Sequence, residues 1–363
     1  MNDTTPIIIP AYEPDERLIS LLEDLVKADQ KKIIVVEDGS GEKYSGLFAR
    51  AKELIAPKGT VISYSENKGK GGALKTAFSY VLENMPGVTG VVTADSDGQH
   101  TVDCIRSVEQ KLLENPCSLV LGVRSFDKEG IPWKSEFGNK LTKKVLKYVS
   151  GISVSDTQTG LRGIPQSFLP ECLAIRENRF EYEMEMLLRT SGKINITETP
   201  ILTVYDSKEN HQTHFNPVLD SLKVYKVLCK RFFIFIFSSF SASIIDLTLF
   251  TLFCFLLKER FPEIYIIIAT VLARIISACY NYAMNYKKVF QSKSKVSSSG
   301  SKYALLAVLQ VSCSALMVNS GKAILPFMPE TVIKIVVDTL LFFVSYKIQQ
   351  KFVYPSRSKK SDT

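Results

Sequence analysis

The chain has 363 residues, with 45 lysines and arginines against 37 aspartates and glutamates and a formal net charge of +8. That length suits two or three domains, and the placement of the basic excess favours a membrane surface over nucleic acid as a partner. Seven cysteines, odd in number and without a Cys-x-x-Cys pair, argue against a disulfide framework or a zinc site.

Composition divides the chain near residue 231. Before it the sequence is mixed and charged, with Gly and Pro punctuation; from Phe232 to Val353 it is mostly apolar. Met1 to Asp3 lead straight into a strand pattern, so no secretory signal peptide is expected.

Pro6 to Tyr12 reads as a first strand ending at a proline, and Asp15 to Lys27 carries Leu18, Leu21, Leu22 and Leu25 at helical spacing. Lys32 to Val36 is a second strand, closed by Glu37-Asp38-Gly39-Ser40. Val61 to Tyr64 is a third, followed by the turn Asn67-Lys68-Gly69-Lys70-Gly71-Gly72 and a helix from Ala73. The glycine run lacks the spacing of a nucleotide-binding P-loop; a tight strand-to-helix turn with basic side chains nearby and a plain loop both suit it. Gly90-Val91-Val92 is a further buried strand, and a helix begins at Thr101-Val102-Asp103. This alternation predicts a doubly wound parallel sheet.

Between that strand and helix lies Thr93-Ala94-Asp95-Ser96-Asp97-Gly98-Gln99-His100. Ligands of open α/β sheets bind outside the carboxyl ends of strands, and an Asp-x-Asp pair there suits a hard divalent cation bridging to phosphates. The same residues also suit an ordinary turn of Asp, Ser and Gly. Tyr12, Asp38 and Asp95 collect at one sheet edge, a ring and two carboxylates fit to grip a nucleotide. His100 is expected to shape the loop rather than act as a base.

Ile9-Pro10-Ala11-Tyr12, Val36-Glu37-Asp38-Gly39-Ser40, Asn67-x-Gly-Lys-Gly and Asp95-Ser96-Asp97-Gly98-Gln99-His100, in this order, resemble glycosyltransferase family 2 with its GT-A fold. Gly122-Val123-Arg124 and Asp156-Thr157-Gln158-Thr159-Gly160-Leu161-Arg162 resemble its polyprenyl-phosphate sugar synthases, the branch that includes dolichyl-phosphate mannose synthase. The resemblance covers about residues 5 to 220. It implies that Pro10, Tyr12 and Asp38 hold a nucleoside, with Asp95 near ribose or diphosphate. Asp97 and Gln99, with Asp95, would bind Mg²⁺ or Mn²⁺, and Arg124 would contact a lipid phosphate. Asp156, Gln158 and Arg162 would lie on the acceptor side. Glu37 stands where the family usually has a first Asp, so the base contact is assigned to Asp38. In Trp133 to Asn139, where related chains carry arginines, Lys134 keeps a cation and Glu136 reverses the charge; Lys134 is assigned as a second phosphate-binding group.

A lipid phosphate monoester is largely ionised at pH 7 because its second pKa is about 6. Such a nucleophile needs cations to position it and a metal to stabilise the leaving diphosphate, not a general base. Direct displacement inverts the anomeric carbon.

Trp133 to Val149 sets Trp133, Phe137, Leu141, Val145 and Tyr148 among five lysines. An interfacial helix has this pattern, and so does a surface helix packed on the sheet. Pro217 to Arg231 repeats it beside an apolar block, and His214 just before it is assigned to the acceptor side. Phe180 to Glu185 alternates; Glu183 is assigned to acceptor alignment, although an acidic helix start reads equally well.

Four apolar blocks follow, about 232–257, 264–286, 303–325 and 332–353, each near the roughly 20 residues that cross a bilayer. Lysines between Lys287 and Lys302, and Arg357, Lys359 and Lys360 in the tail, mark the cytoplasmic side. Both termini are therefore expected in the cytoplasm. Asp246, Arg274, Lys322 and Asp338 lie inside the blocks; intramembrane charges are costly and face the bundle interior, as structural pairs or as a functional path. The four-span pattern resembles the GtrA-like family, associated with lipid-linked sugar export.

The expected organisation is a GT-A catalytic domain over 1–216, a juxtamembrane amphipathic helix over 217–231, a four-helix transmembrane domain over 232–354 and a polar tail over 355–363. The expected activity is metal-dependent, inverting transfer of a sugar from a nucleoside diphosphate to polyprenyl phosphate at the cytoplasmic leaflet, in a multi-pass protein of the cell membrane. Aid in translocating the product is included in that reading, and a homo-oligomer is compatible with it. One alternative is a processive polysaccharide synthase, but the single tryptophan, Trp133, lacks the Gln-x-x-Arg-Trp context of such enzymes. The other is a non-catalytic transporter or scaffold, against which the intact Asp95, Asp97, Gln99 and Arg124 argue.

Overall fold

A computed structural model describes residues 5–29, 32–124, 133–202, 219–292 and 294–354. The described chain divides into two compact units between Leu228 and Cys229. The first begins with β1 (Ile7–Ala11), α1 (Glu16–Lys27), β2 (Ile33–Asp38), α2 (Ser45–Ile55), β3 (Thr60–Tyr64), α3 (Lys70–Asn84) and β4 (Gly90–Thr93). It continues with α4 (Val102–Glu114), β5 (Ser118–Arg124), α5 (Trp133–Ser150), β6 (Arg162–Pro165), α6 (Leu169–Leu173), α7 (Glu181–Thr190) and β7 (Asn195–Ile201).

The seven strands form one sheet in the order β3-β2-β1-β4-β6-β5-β7. β1 runs parallel to both β2 and β4, Ile7 facing Ile33 on one side and Val92 on the other. Ile7, Ile8 and Ile9 are fully buried, as expected for a central strand covered on both faces. In α1, Asp15 caps the first turn by accepting the Arg17 N–H, and Leu18, Ile19, Leu21, Leu22 and Leu25 form the buried face.

Two elements differ from the sequence expectation. The sheet is not wholly parallel, because β6 runs antiparallel to β4 and β5, with Arg162 opposite both Thr93 and Leu121. A reversed strand starts where its parallel neighbours end, so the segment leading into β6 arrives at the edge where β1, β2, β4 and β5 finish. The third helix begins at Lys70, not Ala73. Gly71 belongs to its first turn because a Cβ there would lie 2.5 Å from the Tyr182 side chain; glycine allows α3 to press against α7.

In α5 the buried face is Asn139, Thr142, Leu146 and Val149, while Leu141 of the predicted apolar stripe is exposed. The helix is thus packed through a partly polar face, and Thr142 Oγ1 lies 3.1 Å from the Tyr225 hydroxyl.

The expected juxtamembrane helix and first span fall on one continuous helix, α8 (Leu219–Leu257), of 39 residues. The second unit continues with α9 (Tyr265–Met284), α10 (Val296–Ile324) and α11 (Glu330–Ile348). Among the described residues three segments, Asp220–Leu257, Tyr265–Val289 and Val296–Gly321, are long and apolar enough to cross a membrane. The fourth expected span falls on α11, whose 19 residues include Glu330, Lys334, Asp338 and Lys347, and it is not among those three.

Candidate active site

The loop after β4 is built by its own side chains. His100 is buried, and its Nδ1 accepts the Asp95 N–H at 3.2 Å. Burial lowers the imidazole pKa, outweighing the opposing pull of Asp95 and Asp97, so the ring stays neutral and suited to that acceptor role. Asp97 Oδ1 accepts the Gln99 N–H at 3.1 Å, which turns the chain back toward α4.

Asp95 is held from two sides. Lys70, the first residue of α3, places Nζ 2.7 Å from Asp95 Oδ1 and 2.9 Å from Glu183 Oε1 on α7. Burial opposes the Lys70 charge, but Asp95 and Glu183 outweigh it and raise the ammonium above the ordinary lysine value. Burial likewise opposes ionisation of Asp95, and the Lys70 charge outweighs it and holds the carboxyl below the usual carboxylate range. From the other side comes the turn before β6. A Cβ on Gly160 would sit 2.4 Å from Asp95 Oδ2, so only glycine lets this backbone pass, and Thr93 Oγ1 ties it down by donating to the Gly160 carbonyl at 2.8 Å.

A pocket of about 300 Å³ opens in front of these groups, bordered by Pro10, Tyr12, Asp38, Lys70, Asp95 and Asp97 among others, including Gln99. Asp38 is buried, and its Oδ1 accepts from the Tyr64 hydroxyl at 2.6 Å and the Lys68 N–H at 2.8 Å. Both bonds use one oxygen, which fixes the carboxylate and leaves Oδ2 as the atom for a ligand. Asp38 borders this pocket and Glu37 does not.

Arg124 ends β5 on the same sheet edge. Its Nε and Nη2 donate to Asp156 Oδ2 and Oδ1 at 2.7 and 3.1 Å, a bidentate pair whose carboxylate is fully buried. Asp156 is therefore a holder of Arg124, not a side chain that faces an acceptor. Arg162 is buried too: it donates to the Thr159 and Glu183 carbonyls at 2.9 and 2.8 Å and so braces α7 behind the site. Its predicted acceptor-side place is corrected to an interior one, because β6 enters the middle of the sheet. Gln158 is exposed beside this turn. Glu183, predicted for acceptor alignment, is 9% exposed and engaged with Lys70. The Lys134 side chain and His214 lie outside the described residues.

Sequence reasoning missed Lys70 as a site residue, although it stands inside a recognised motif. It also missed Asn139, whose Oδ1 accepts the N–H and hydroxyl of Thr157 at 3.1 and 2.9 Å and couples α5 to the segment carrying Asp156.

The donor set fits a hard divalent cation. Among the described residues no three His, Cys, Asp or Glu side chains converge as a ready-made metal cage. Asp95, Asp97 and the Gln99 amide offer oxygen alone, and burial followed by the Asp95 charge raises the Asp97 carboxyl above its ordinary value. A cation held by one or two carboxylates, with phosphate oxygens completing its shell, would relieve that charge.

The helical unit contains its own polar cavity, about 1310 Å³, bordered by Asp246, Arg274, Ser277, Asn281, Ser314 and Asp338 among others. Arg274 lies 3.2 Å from Asp246, which also accepts from Ser277 Oγ at 2.9 Å. Asp338 accepts from Ser314 Oγ at 2.5 Å. The Lys322 side chain lies outside the described residues.

An α/β sheet with a charged pocket at its strand ends is followed by helices apolar enough to cross a membrane, and comparison with known proteins gives the class. Residues 7–173 match Glycosyl transferase family 2, and residues 234–354 match the GtrA/DPMS transmembrane domain. A UDP-N-acetylglucosamine–dolichyl-phosphate N-acetylglucosaminyltransferase of Methanococcus voltae is 32% identical over 55% of this chain and 85% of its own length. An uncharacterized protein of Methanocaldococcus jannaschii is 26% identical over 64% of this chain and 94% of its own. An undecaprenyl-phosphate 4-deoxy-4-formamido-L-arabinose transferase of Pseudomonas syringae is 25% identical over 58% and 60%. The chain belongs to glycosyl transferase family 2, with a GtrA/DPMS transmembrane domain as its second part.

Proposed function

We propose that this membrane glycosyltransferase moves a sugar from a nucleoside diphosphate to a polyprenyl phosphate, with inversion, at the cytoplasmic leaflet. The observation that carries the reading is the convergence of Asp38, Lys70, Asp95 and Asp97 on one pocket at the strand ends. The acceptors in the relatives' names, dolichyl and undecaprenyl phosphate, support the lipid class, and undecaprenyl phosphate is the first to test.

In this reading Pro10 and Tyr12 border the nucleoside, and Asp38, fixed through Oδ1, accepts from it. Asp97 and Gln99, with Asp95, hold Mg²⁺ or Mn²⁺, which when bound neutralises charge on the departing diphosphate. Arg124, aimed by Asp156, grips the lipid phosphate, with Lys134 as a second cation and Gln158 and His214 on the acceptor side. The ionised phosphate oxygen attacks the anomeric carbon directly, so no side chain must remove a proton. Arg162 and Glu183 support the site from behind.

Residues 1–216 carry transfer, the amphipathic start of α8 lies at the membrane surface, and 232–354 form the membrane domain. Four spans, with α11 the fourth, keep both termini cytoplasmic. The cavity around Asp246, Arg274 and Asp338 admits the sugar headgroup during its passage across the bilayer; its polar lining supports this, since leucines would anchor the protein at lower cost. The test is incubation of membranes carrying the chain with labelled nucleotide sugars and polyprenyl phosphates. Label should enter the organic extract only with both substrates present; no lipid-bound label with any pair overturns the proposal.

A further inference from the structure

The helical unit repeats itself. α9 and α11 each run into a turn whose N–H reaches five residues back: Phe290 donates to the Asn285 carbonyl at 2.9 Å, and Tyr354 to the Gln349 carbonyl at 2.8 Å. Such turns are rare and concentrate at functional sites. The sequence shift that carries Asn285 to Gln349 also carries Val289 to Val353, Asn281 to Ser345 and Arg274 to Asp338. In α8 and α10 a single shift carries Phe235 to Tyr303 and Asp246 to Ser314. The pairings repeat with the positions: Asp246 meets Arg274 at 3.2 Å, and Ser314 donates to Asp338 at 2.5 Å. Asn285 Nδ2 donates to Gln349 Oε1 at 3.0 Å, and equivalent residues touch only near an axis that exchanges the two copies. α8–α9 and α10–α11 thus repeat one helical hairpin, and matching positions of both border the polar cavity. In membrane proteins built from repeats, ligands bind where the copies meet.

The copies differ in charge. Where one hairpin carries the guanidinium of Arg274, the other carries the carboxylate of Asp338. The Arg274 side chain is 73% exposed, with Asp246 at Nη2, so its fork can take a second acceptor. A phosphodiester at membrane depth needs a cation and is repelled by a carboxylate. Sugar hydroxyls suit a carboxylate acceptor, and Ser314 steadies the one on Asp338. We infer that the cavity binds a glycosyl polyprenyl phosphate in one orientation, its phosphate on Arg274 and its sugar hydroxyls on Asp338. The inference rests on the headgroup reading of this cavity given above. No bond is made or broken: the phosphodiester keeps its single negative charge beside the guanidinium, and the hydroxyls donate to the carboxylate.

The test uses the full-length protein in detergent without nucleotide sugar, so that no transfer intervenes. The probes are farnesyl phosphate and the glucosyl and N-acetylglucosaminyl phosphodiesters of farnesol, each with a diazirine on the isoprenoid beside the phosphate. Mass spectrometry locates the adducts, which separates this cavity from the catalytic unit. Arg274→Gln should lower adducts on α8–α11 about tenfold for every probe, and Arg274→Lys should restore most of the yield. Asp338→Ala should lower the two sugar-bearing probes about tenfold and farnesyl phosphate by less than about twofold. Merely structural charges would lower all probes alike in both variants, and that result overturns the inference, as do adducts unaffected by either variant. Excess inorganic phosphate should not compete; competition by it would make this a site for free phosphate and overturn the lipid assignment. Should a variant fail to fold, the wild type decides: a diazirine moved onto the sugar should label chiefly α10–α11, and chief labelling of α8–α9 overturns the orientation. A wild type with no adduct on α8–α11 from any probe overturns the headgroup reading itself.

Discussion

Arg124 and Asp156 form a bidentate pair at 2.7 and 3.1 Å, with the carboxylate sealed from solvent. A guanidinium so fixed has two donors committed to its holder and a set direction for the rest of its fork. The pair joins the end of β5 to the turn before β6, so the two halves of an acceptor site would move together.

Breaking this pair should cost stability as well as activity. Asp156→Ala leaves a mostly buried arginine without its counter-ion, a loss on the order of 3–5 kcal/mol, and should lower Tm in detergent by several degrees. Arg124→Ala should impair polyprenyl phosphate binding while leaving nucleotide binding near normal. Separate titrations with lipid and nucleotide decide it; a nucleotide defect with normal lipid binding would move Arg124 to the donor side.

Gly160→Ala tests the close approach at Asp95. The added methyl would collide with Oδ2, 2.4 Å from the ideal Cβ position, and displace the carboxylate from Lys70. A shift of about 1 Å at a catalytic group costs on the order of 100-fold in rate, so transfer should fall by about that factor while circular dichroism stays unchanged. Wild-type turnover in this variant would show that the position of Asp95 does not matter.

Asp97→Asn keeps the side chain's shape and its hydrogen-bond acceptor for Gln99 but removes the negative charge. Transfer by the wild type should stop in EDTA and return with Mn²⁺ or Mg²⁺. The variant should lose about 100-fold or more in turnover, and added metal should not restore it. Equal metal dependence in both proteins would remove Asp97 from the ion site.

The membrane unit gives a prediction of opposite sign. Asp246→Asn, Arg274→Gln and Asp338→Asn alter the polar cavity and touch nothing assigned to transfer. Each should leave synthesis of the lipid-linked sugar nearly normal in membranes while reducing the amount exposed on the outer face of intact vesicles to an impermeant probe. A parallel fall in synthesis and exposure would make these charges structural supports of the enzyme. No change in either would leave the membrane unit as an anchor.

What the sequence disclosed and what it hid follow from the range of the interactions. The leucine face of α1 and the loop after β4 are local patterns, and each stands where it was expected. The pairings that complete the site are not local. Lys70 meets Glu183 across α3 and α7, and nothing in the spacing of either motif announces the other; the glycines around Lys70 spoke only for a turn. Arg162 was expected on the acceptor side from its motif, but a short strand inserted antiparallel between β4 and β5 carries it inside. Gly160 stood in its motif without a stated reason, and the Asp95 carboxylate supplies one. The apolar blocks were plain from composition, and pairing of their inner charges was one of the two expected readings; the packed helices show which partners meet, Asp246 and Arg274.

The central claim concerns one product, a sugar joined to a polyprenol through a single phosphate with its anomeric configuration reversed. It is tested by extracting the lipid made by the purified full-length protein from a nucleotide sugar of known anomeric form. Phosphorus and proton magnetic resonance of that lipid should show a phosphodiester and the inverted anomer, with the nucleoside diphosphate as co-product. A pyrophosphate linkage, a retained anomer, or label found only in a polymer or in free sugar would contradict the account.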